Sequence, residues 1–212
     1  MTKRRSSHNL FQSGITNLGL IIIAIIISAV LLLALVDRQQ ATKPKEATTT
    51  MAQSTNSSEK QDFIDKVAPE AVKLKATYQV LPSITIAQAI LESDWGQSQL
   101  TAKYNNLFGV KGDRTENTKE MTTQEYLNGE WKTVTARFRV YASYRDSLLE
   151  HAQLFHKGTT WNANQYQHFL AAKNYQEAAK ALETDGYATD PGYAEKLIEL
   201  IQQYHLDDYD KQ

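Results

Sequence analysis

Glu92 is the residue best placed in this sequence to do acid chemistry. It lies near the end of the stretch Ile84-Thr-Ile-Ala-Gln-Ala-Ile-Leu-Glu-Ser-Asp-Trp-Gly96. Ser83 can cap a helix that begins there, Ile86, Ala89, Ile90 and Ser93 fall on one of its faces, and Gly96 suits a left-handed ending. A carboxylate in the last turn meets the negative end of the helix dipole, and Trp95 offers an aromatic wall beside it. Both disfavour charge, so the pKa is expected to rise into the range a general acid needs. A solvated glutamate at an ordinary helix end has the same sequence, and these residues alone leave both readings open.

A second acid, Glu125, stands in a hairpin. Met121 to Leu127 and Trp131 to Val140 flank Asn128-Gly129, the preferred pair for a two-residue type I′ turn. If Leu127 pairs with Glu130, Glu125 opposes Lys132 and shares a face with Val134 and Phe138. An acid on that face either pairs with Lys132 or works. The loop Tyr104-Asn-Asn-Leu-Phe-Gly-Val-Lys-Gly112 is either a plain connector or a sugar-binding wall, with Asn amides for hydroxyl or acetamido groups and Tyr104 or Phe108 for a pyranose face. In the turn-rich Asp185-Gly-Tyr-Ala-Thr-Asp-Pro-Gly-Tyr193, Tyr187 and Tyr193 either pack against the last helix or present a hydroxyl to a site. His151 and His156 are five apart, not the i, i+4 pair of a zinc helix. The sequence holds no HExxH or carboxylate-rich loop, so neither a metal nor another cofactor is expected.

The elements around these residues read as mainly helical. Asp62 to Tyr78 has a helical apolar pattern interrupted by Pro69, which either kinks it or opens a second helix. Short helices are expected at Gln97 to Tyr104, Asn164 to Ala172 and Tyr175 to Glu183. Longer ones are expected from Ser143 to Lys157, with Gly158 as stop, and from Tyr193 to Tyr204.

Charge divides the chain of 212 residues unevenly. Residues 1–60 hold seven Lys/Arg and three Asp/Glu, whereas residues 61–212 hold sixteen and twenty-one. An acidic folded part argues against a nucleic-acid partner. The sequence has no Cys, which excludes disulfides and thiol catalysis. Leu18 to Val36 is nineteen residues without a charge, long enough as a helix to span the ~30 Å hydrocarbon core. It runs into Asp37-Arg38 with no clear cleavage signal, and Lys3, Arg4 and Arg5 precede it. The expected order is a cytoplasmic basic tail at 1–17, a single-pass transmembrane signal anchor at 18–36, a flexible extracellular linker at 37–60 and a folded domain at 61–212. The span has no small-xxx-small glycine pattern, and the domain is expected to be monomeric.

Four motifs in order, AQAILESDWGQSQL, YNNLFGVKG, TTQEYLNGEW…FRVYAS and DGYATDPGYAEKL, resemble the bacterial glucosaminidase family, the mannosyl-glycoprotein endo-β-N-acetylglucosaminidase-like peptidoglycan hydrolases. The resemblance covers roughly Asp62 to Leu206. It implies an α+β, lysozyme-like fold, mainly helical, with a small β-hairpin lobe flanking a cleft. It also implies hydrolysis of β-1,4 bonds in peptidoglycan glycan strands, usually after N-acetylglucosamine.

Carried over by motif, Glu92 matches the catalytic acid, Glu125 the proposed second carboxylate and Tyr187 the tyrosine near the reaction centre. Trp95, Tyr104, Asn106, Phe108 and Tyr193 are the expected substrate-binding positions. Glu125 would activate water if the carboxyls stand ~6.5–9.5 Å apart, or act as nucleophile at ~5–5.5 Å. The substrate's own acetamido group is a third route. A lytic transglycosylase or muramidase on the same fold, or a membrane-tethered wall-binding protein without turnover, are the alternatives.

Overall fold

The structure, a computed structural model, describes the backbone of residues 46–127, 130–188 and 190–212, and the side chains among these apart from 46–56 and 123–131. The expected basic tail, transmembrane span and first part of the linker lie outside the described residues. Among the described residues no helix is long and apolar enough to cross a membrane.

Among the described residues, eight segments of regular structure build the helical body. Helix α1, Glu46–Tyr78, runs for 33 residues with Pro69 inside it. It begins within the stretch expected to be a tether. No Gly or Pro interrupts residues 46–68, and once the docked part of a helix has nucleated, adding further residues costs little. Helix α2, Pro82–Ser93, is the centre of the body: all of its residues except Leu91 and Glu92 are buried. A helix apolar on every side must be enclosed, and α1, α6 (Tyr175–Thr184), α7 (Tyr193–Gln203) and a 3-10 turn at Leu206–Lys211 pack around it. Ile84, Ile86 and Ile90 are each at most 2% exposed, and burying a side chain of that size contributes roughly 1.5–3 kcal/mol. Helix α3, Gln99–Tyr104, α4, Tyr144–Lys157, and α5, Gln167–Ala171, complete the body.

The start of α2 differs from the expected Ser83 cap. Leu81 holds the N-cap position and Pro82 is the first helical residue, because proline's fixed φ and missing N–H suit that place. The end differs too. The helix stops at Ser93, and Asp94, Trp95 and Gly96 are all left-handed, with φ of 51°, 57° and 79°. Ser93 ties this reversal down: its hydroxyl donates to the Ala89 carbonyl at 2.5 Å and accepts the Gly96 N–H at 2.7 Å. A Cβ on residue 96 would meet the Phe63 ring at 2.8 Å, so both its φ and its surroundings require glycine.

Strands β1, Thr118–Leu127, and β2, Glu130–Arg139, form a two-stranded antiparallel hairpin. Leu127 pairs with Glu130, Tyr126 with Trp131 and Glu125 with Lys132, the register expected from the turn sequence. The turn residues Asn128 and Gly129 lie outside the described residues. Phe138, 4% exposed, anchors the base of the hairpin. The architecture is therefore mostly helical with one small sheet.

Candidate active site

Glu92 is carried by the last turn of α2, where that helix packs against α6 and α7. The turn before α7 is pinned by Asp190, whose Oδ1 accepts the Gly192 N–H at 2.9 Å, so that the helix opens on Tyr193. Tyr193 is fully buried. Its hydroxyl donates to Glu92 Oε1 at 2.9 Å and accepts from Gln88 Nε2 at 3.0 Å. Gln88 stands one turn before Glu92 on the same face of α2.

Tyr187 follows the end of α6 through Gly186 and is 4% exposed. Its ring lies 5.8 Å from that of Tyr193, tilted by 34°. On its other side its hydroxyl is 3.2 Å from His151 Nε2. His151, on α4, stacks face to face on Phe108 at 3.7 Å with an interplanar angle of 8°.

Glu92 is partly exposed, but the protein packed around its carboxyl desolvates it and pushes it up to about 7, against the opposing pull of the Tyr193 hydrogen bond and the Lys196 charge. Lys196 is itself held by Asp190 at 2.5 Å. Burial, and then the nearby Glu92 charge, push the hydroxyls of Tyr187 and Tyr193 well above the ordinary phenol range, so both stay protonated donors. Burial also holds His151 down at about 3, which keeps it neutral. An acid half-protonated near neutral pH, braced by uncharged hydroxyls, can deliver a proton to a leaving oxygen.

The residues expected at the site divide into two groups. Glu92, Tyr187 and Tyr193 come together. Trp95 instead packs edge-on against Phe63, at 6.2 Å, and Tyr204, at 4.8 Å, and the aromatic residue bonded to the acid is Tyr193. Asn106 is buried, and its amide is engaged by backbone: it donates to the carbonyls of Val110 and Arg139 and accepts the Val110 N–H. It joins the loop to the hairpin base and has no free amide for a sugar. Phe108 gives one face to His151. Tyr104, partly exposed, accepts the Tyr141 N–H through its carbonyl at 2.9 Å. The side chain of Glu125, and any separation between it and Glu92, lie outside the described residues.

Sequence reading missed Gln88, His151 and Lys196. Gln88 left a signal, a lone long polar side chain inside an apolar helical run. His151 invites a test only as a metal pair with His156, which its spacing fails. Among the described residues no cluster of three or more His, Asp or Glu is placed to hold a metal.

A cleft of about 520 Å³ lies at the foot of the hairpin against α4, lined by Arg139, Tyr141, Glu150 and Lys157 among others. It includes none of the acid's partners, and Arg139 there is already bridged to Glu116 and Glu150. This cleft is therefore separate from the Glu92 site.

Residues 68–206, which include the acid and both tyrosines, match the glucosaminidase family, described as mannosyl-glycoprotein endo-beta-N-acetylglucosaminidase. The chain belongs to the glucosaminidase family. The exo-glucosaminidase LytG of Bacillus subtilis is 54% identical over 153 residues, 72% of this chain and 54% of that protein. A probable N-acetylmuramidase of Lactococcus lactis is 42% identical over 169 residues, 78% of this chain and 38% of that protein. This member of the family thus spans about half or less of the length of these relatives. Among solved structures, the catalytic domain of the autolysin Auto from Listeria monocytogenes superposes with a TM-score of 0.67 at 33% identity, covering 86% of this chain and 97% of that one. The glucosaminidase fold is shared across that comparison.

Proposed function

We propose that this chain is a peptidoglycan hydrolase that cleaves β-1,4 glycosidic bonds of cell-wall glycan after N-acetylglucosamine, with Glu92 as general acid. The observation that carries this reading is the Glu92 carboxyl, raised to about 7 by burial and bonded to the Tyr193 hydroxyl at 2.9 Å. With Oε1 occupied by that hydroxyl, Oε2 is the oxygen that holds the proton. A glycosidic oxygen placed against it leaves as an alcohol while positive charge develops on the sugar ring. Tyr187, neutral and beside Tyr193, supplies a hydroxyl that can hydrogen-bond the substrate. Glu125 is the second carboxylate in this scheme, supported by its motif.

The choice of the bond after N-acetylglucosamine is favoured by the higher identity to a relative named exo-glucosaminidase than to one named N-acetylmuramidase. The apolar span at 18–36 would hold the enzyme in the membrane as a single-pass anchor, with its catalytic part facing the wall as a monomer.

Digestion of purified peptidoglycan, followed by borohydride reduction and mass spectrometry, tests the proposal. Fragments reduced at N-acetylglucosamine, absent with Glu92→Gln, are expected. Reduced muramic acid ends would make the enzyme a muramidase, and anhydro ends a transglycosylase. Binding of glycan without fragments would remove the enzymatic reading.

A further inference from the structure

One buried titratable group near the acid has no part in the reaction as described. His151 is 2% exposed, its Nε2 is 3.2 Å from the Tyr187 hydroxyl, and among the described residues its Nδ1 has no hydrogen-bond partner. Phe108 stacks on its face at 3.7 Å and Phe155 meets it edge-on at 4.8 Å, so the ring is held in one orientation.

The tautomer follows from these contacts. Burial keeps the ring neutral, and a neutral imidazole carries one N–H. A proton on Nδ1 would leave a buried donor without an acceptor, whereas a proton on Nε2 leaves only a bare lone pair at Nδ1. Orphaned buried N–H groups are the rarer and costlier of the two. The proton therefore belongs on Nε2, where the Tyr187 oxygen accepts it. Having received that bond, the Tyr187 hydroxyl must send its own hydrogen away from the imidazole.

The same logic operates next to it. Gln88 donates to the Tyr193 oxygen, and Tyr193 donates onward to Glu92. Two uncharged buried donors, on α2 and α4, stand behind two tyrosines whose rings are 5.8 Å apart.

We infer that His151 is a positioning residue: it donates Nε2–H to Tyr187 and so fixes the Tyr187 hydroxyl as a donor directed into the Glu92 site. The Tyr193 hydroxyl and the Glu92 charge lie on that side, so the Tyr187 hydrogen is directed toward the Tyr193–Glu92 pair. The functional half of this inference rests on the reading of Glu92 as the catalytic acid. The tautomer does not.

Two measurements on the whole chain keep those halves apart. In a 15N-labelled sample near pH 7, the His151 imidazole is expected to show a protonated Nε2 and an unprotonated Nδ1. A proton on Nδ1, or a doubly protonated ring, overturns the inference whether or not the protein cleaves glycan, and this reading needs no variant to fold. In kinetics, His151→Phe is expected to lower kcat by about tenfold with a smaller change in KM. His151→Gln, whose amide can place an N–H near the Nε2 position, is expected to recover most of that loss. In a Tyr187→Phe background, His151→Phe should cost no more than about twofold further, because the hydroxyl it orients is gone. Losses that multiply, or a Gln variant no better than Phe, would show that His151 acts on packing alone and would overturn the positioning role.

Discussion

The hydroxyl of Tyr193 donates to Glu92 Oε1 across 2.9 Å, a bond that favours the charged carboxylate while burial favours the neutral acid. Burial is the larger effect, and the carboxyl titrates at about 7. Removing the hydroxyl removes a force that lowers the pKa. Tyr193→Phe should therefore move the alkaline limb of the pH–activity profile upward, and Lys196→Met should do the same, since the Lys196 charge also favours ionisation. The general-acid form is the protonated one, so activity in the wild type should fall as pH rises through about 7. Profiles of kcat against pH for the three proteins decide this. A limb that moves downward in Tyr193→Phe would show that the hydroxyl stabilises the protonated acid.

Glu92→Gln keeps the shape of the side chain and removes its proton. Loss of a general acid lowers kcat by about 100- to 10,000-fold. Circular dichroism should be unchanged, and release of reducing ends from peptidoglycan is the readout. Activity within a factor of ten of wild type would place the acid elsewhere.

At the other end of α2, Asp210 accepts the Ser83 N–H at 2.8 Å and the Ser83 hydroxyl at 2.6 Å. The carboxylate of the C-terminal 3-10 turn thereby serves as the cap that no residue before the helix supplies, since Leu81 makes no side-chain cap bond. Asp210→Ala is expected to destabilise the fold by about 1–2 kcal/mol, the usual cost of a lost N-cap. Asp210→Asn, which keeps one acceptor, should lose less. Urea unfolding of the three chains gives the comparison.

Much of this was legible in the sequence, and what was not has identifiable causes. The helices were readable because apolar residues recur at helical spacing, as at Leu148, Ala152 and Phe155 on α4. The hairpin register was readable because Asn128-Gly129 admits a two-residue turn and therefore one pairing. Glu92 stands out by its helix end and Tyr187 and Tyr193 by their turn-rich segment, but only the motif resemblance puts the three in one site. Local pattern alone could not have joined residues about a hundred positions apart. The cap of α2 was misplaced for the same reason: Asp210 is 127 residues from Ser83, and no local rule looks that far. Asn106 reads as a sugar-facing amide because a loop asparagine looks alike in sequence whether its partners are backbone or ligand. His151 was passed over because the metal test looks only at helical spacing, while its partners Phe108 and Tyr187 come from other segments.

Gly96 offers a test of how the reversal after Glu92 is held. An added methyl would stand 2.8 Å from Phe63 Cε2 at a residue with φ of 79°. Gly96→Ala is expected to cost about 1–3 kcal/mol in stability, from the left-handed backbone and the displaced ring together. Because the reversal at residues 94–96 directly follows Glu92, kcat should fall with stability, and Phe63→Leu should recover part of both. If Gly96→Ala were as stable as wild type, the close contact with Phe63 would not exist in solution.

The raised pKa of Glu92 also predicts how stability depends on pH. An acid that titrates at about 7 in the folded protein and at 4.5 in the reference state binds its proton more tightly when folded. Its effect on folding is neutral below the unfolded pKa, turns unfavourable as pH rises from 4.5 toward about 7, and is constant above that. At about 1.4 kcal/mol per unit, the wild type should give up as much as about 3 kcal/mol across this window. Glu92→Gln has no proton to lose. Its stability should match the wild type near pH 4 and exceed it near pH 8.5, by an amount of that order as an upper bound. Urea unfolding of both chains at the two pH values reads the difference directly. Equal stability at pH 8.5 would mean that Glu92 ionises in the folded protein as easily as in water, and the case for it as a general acid poised near neutrality would fall with it.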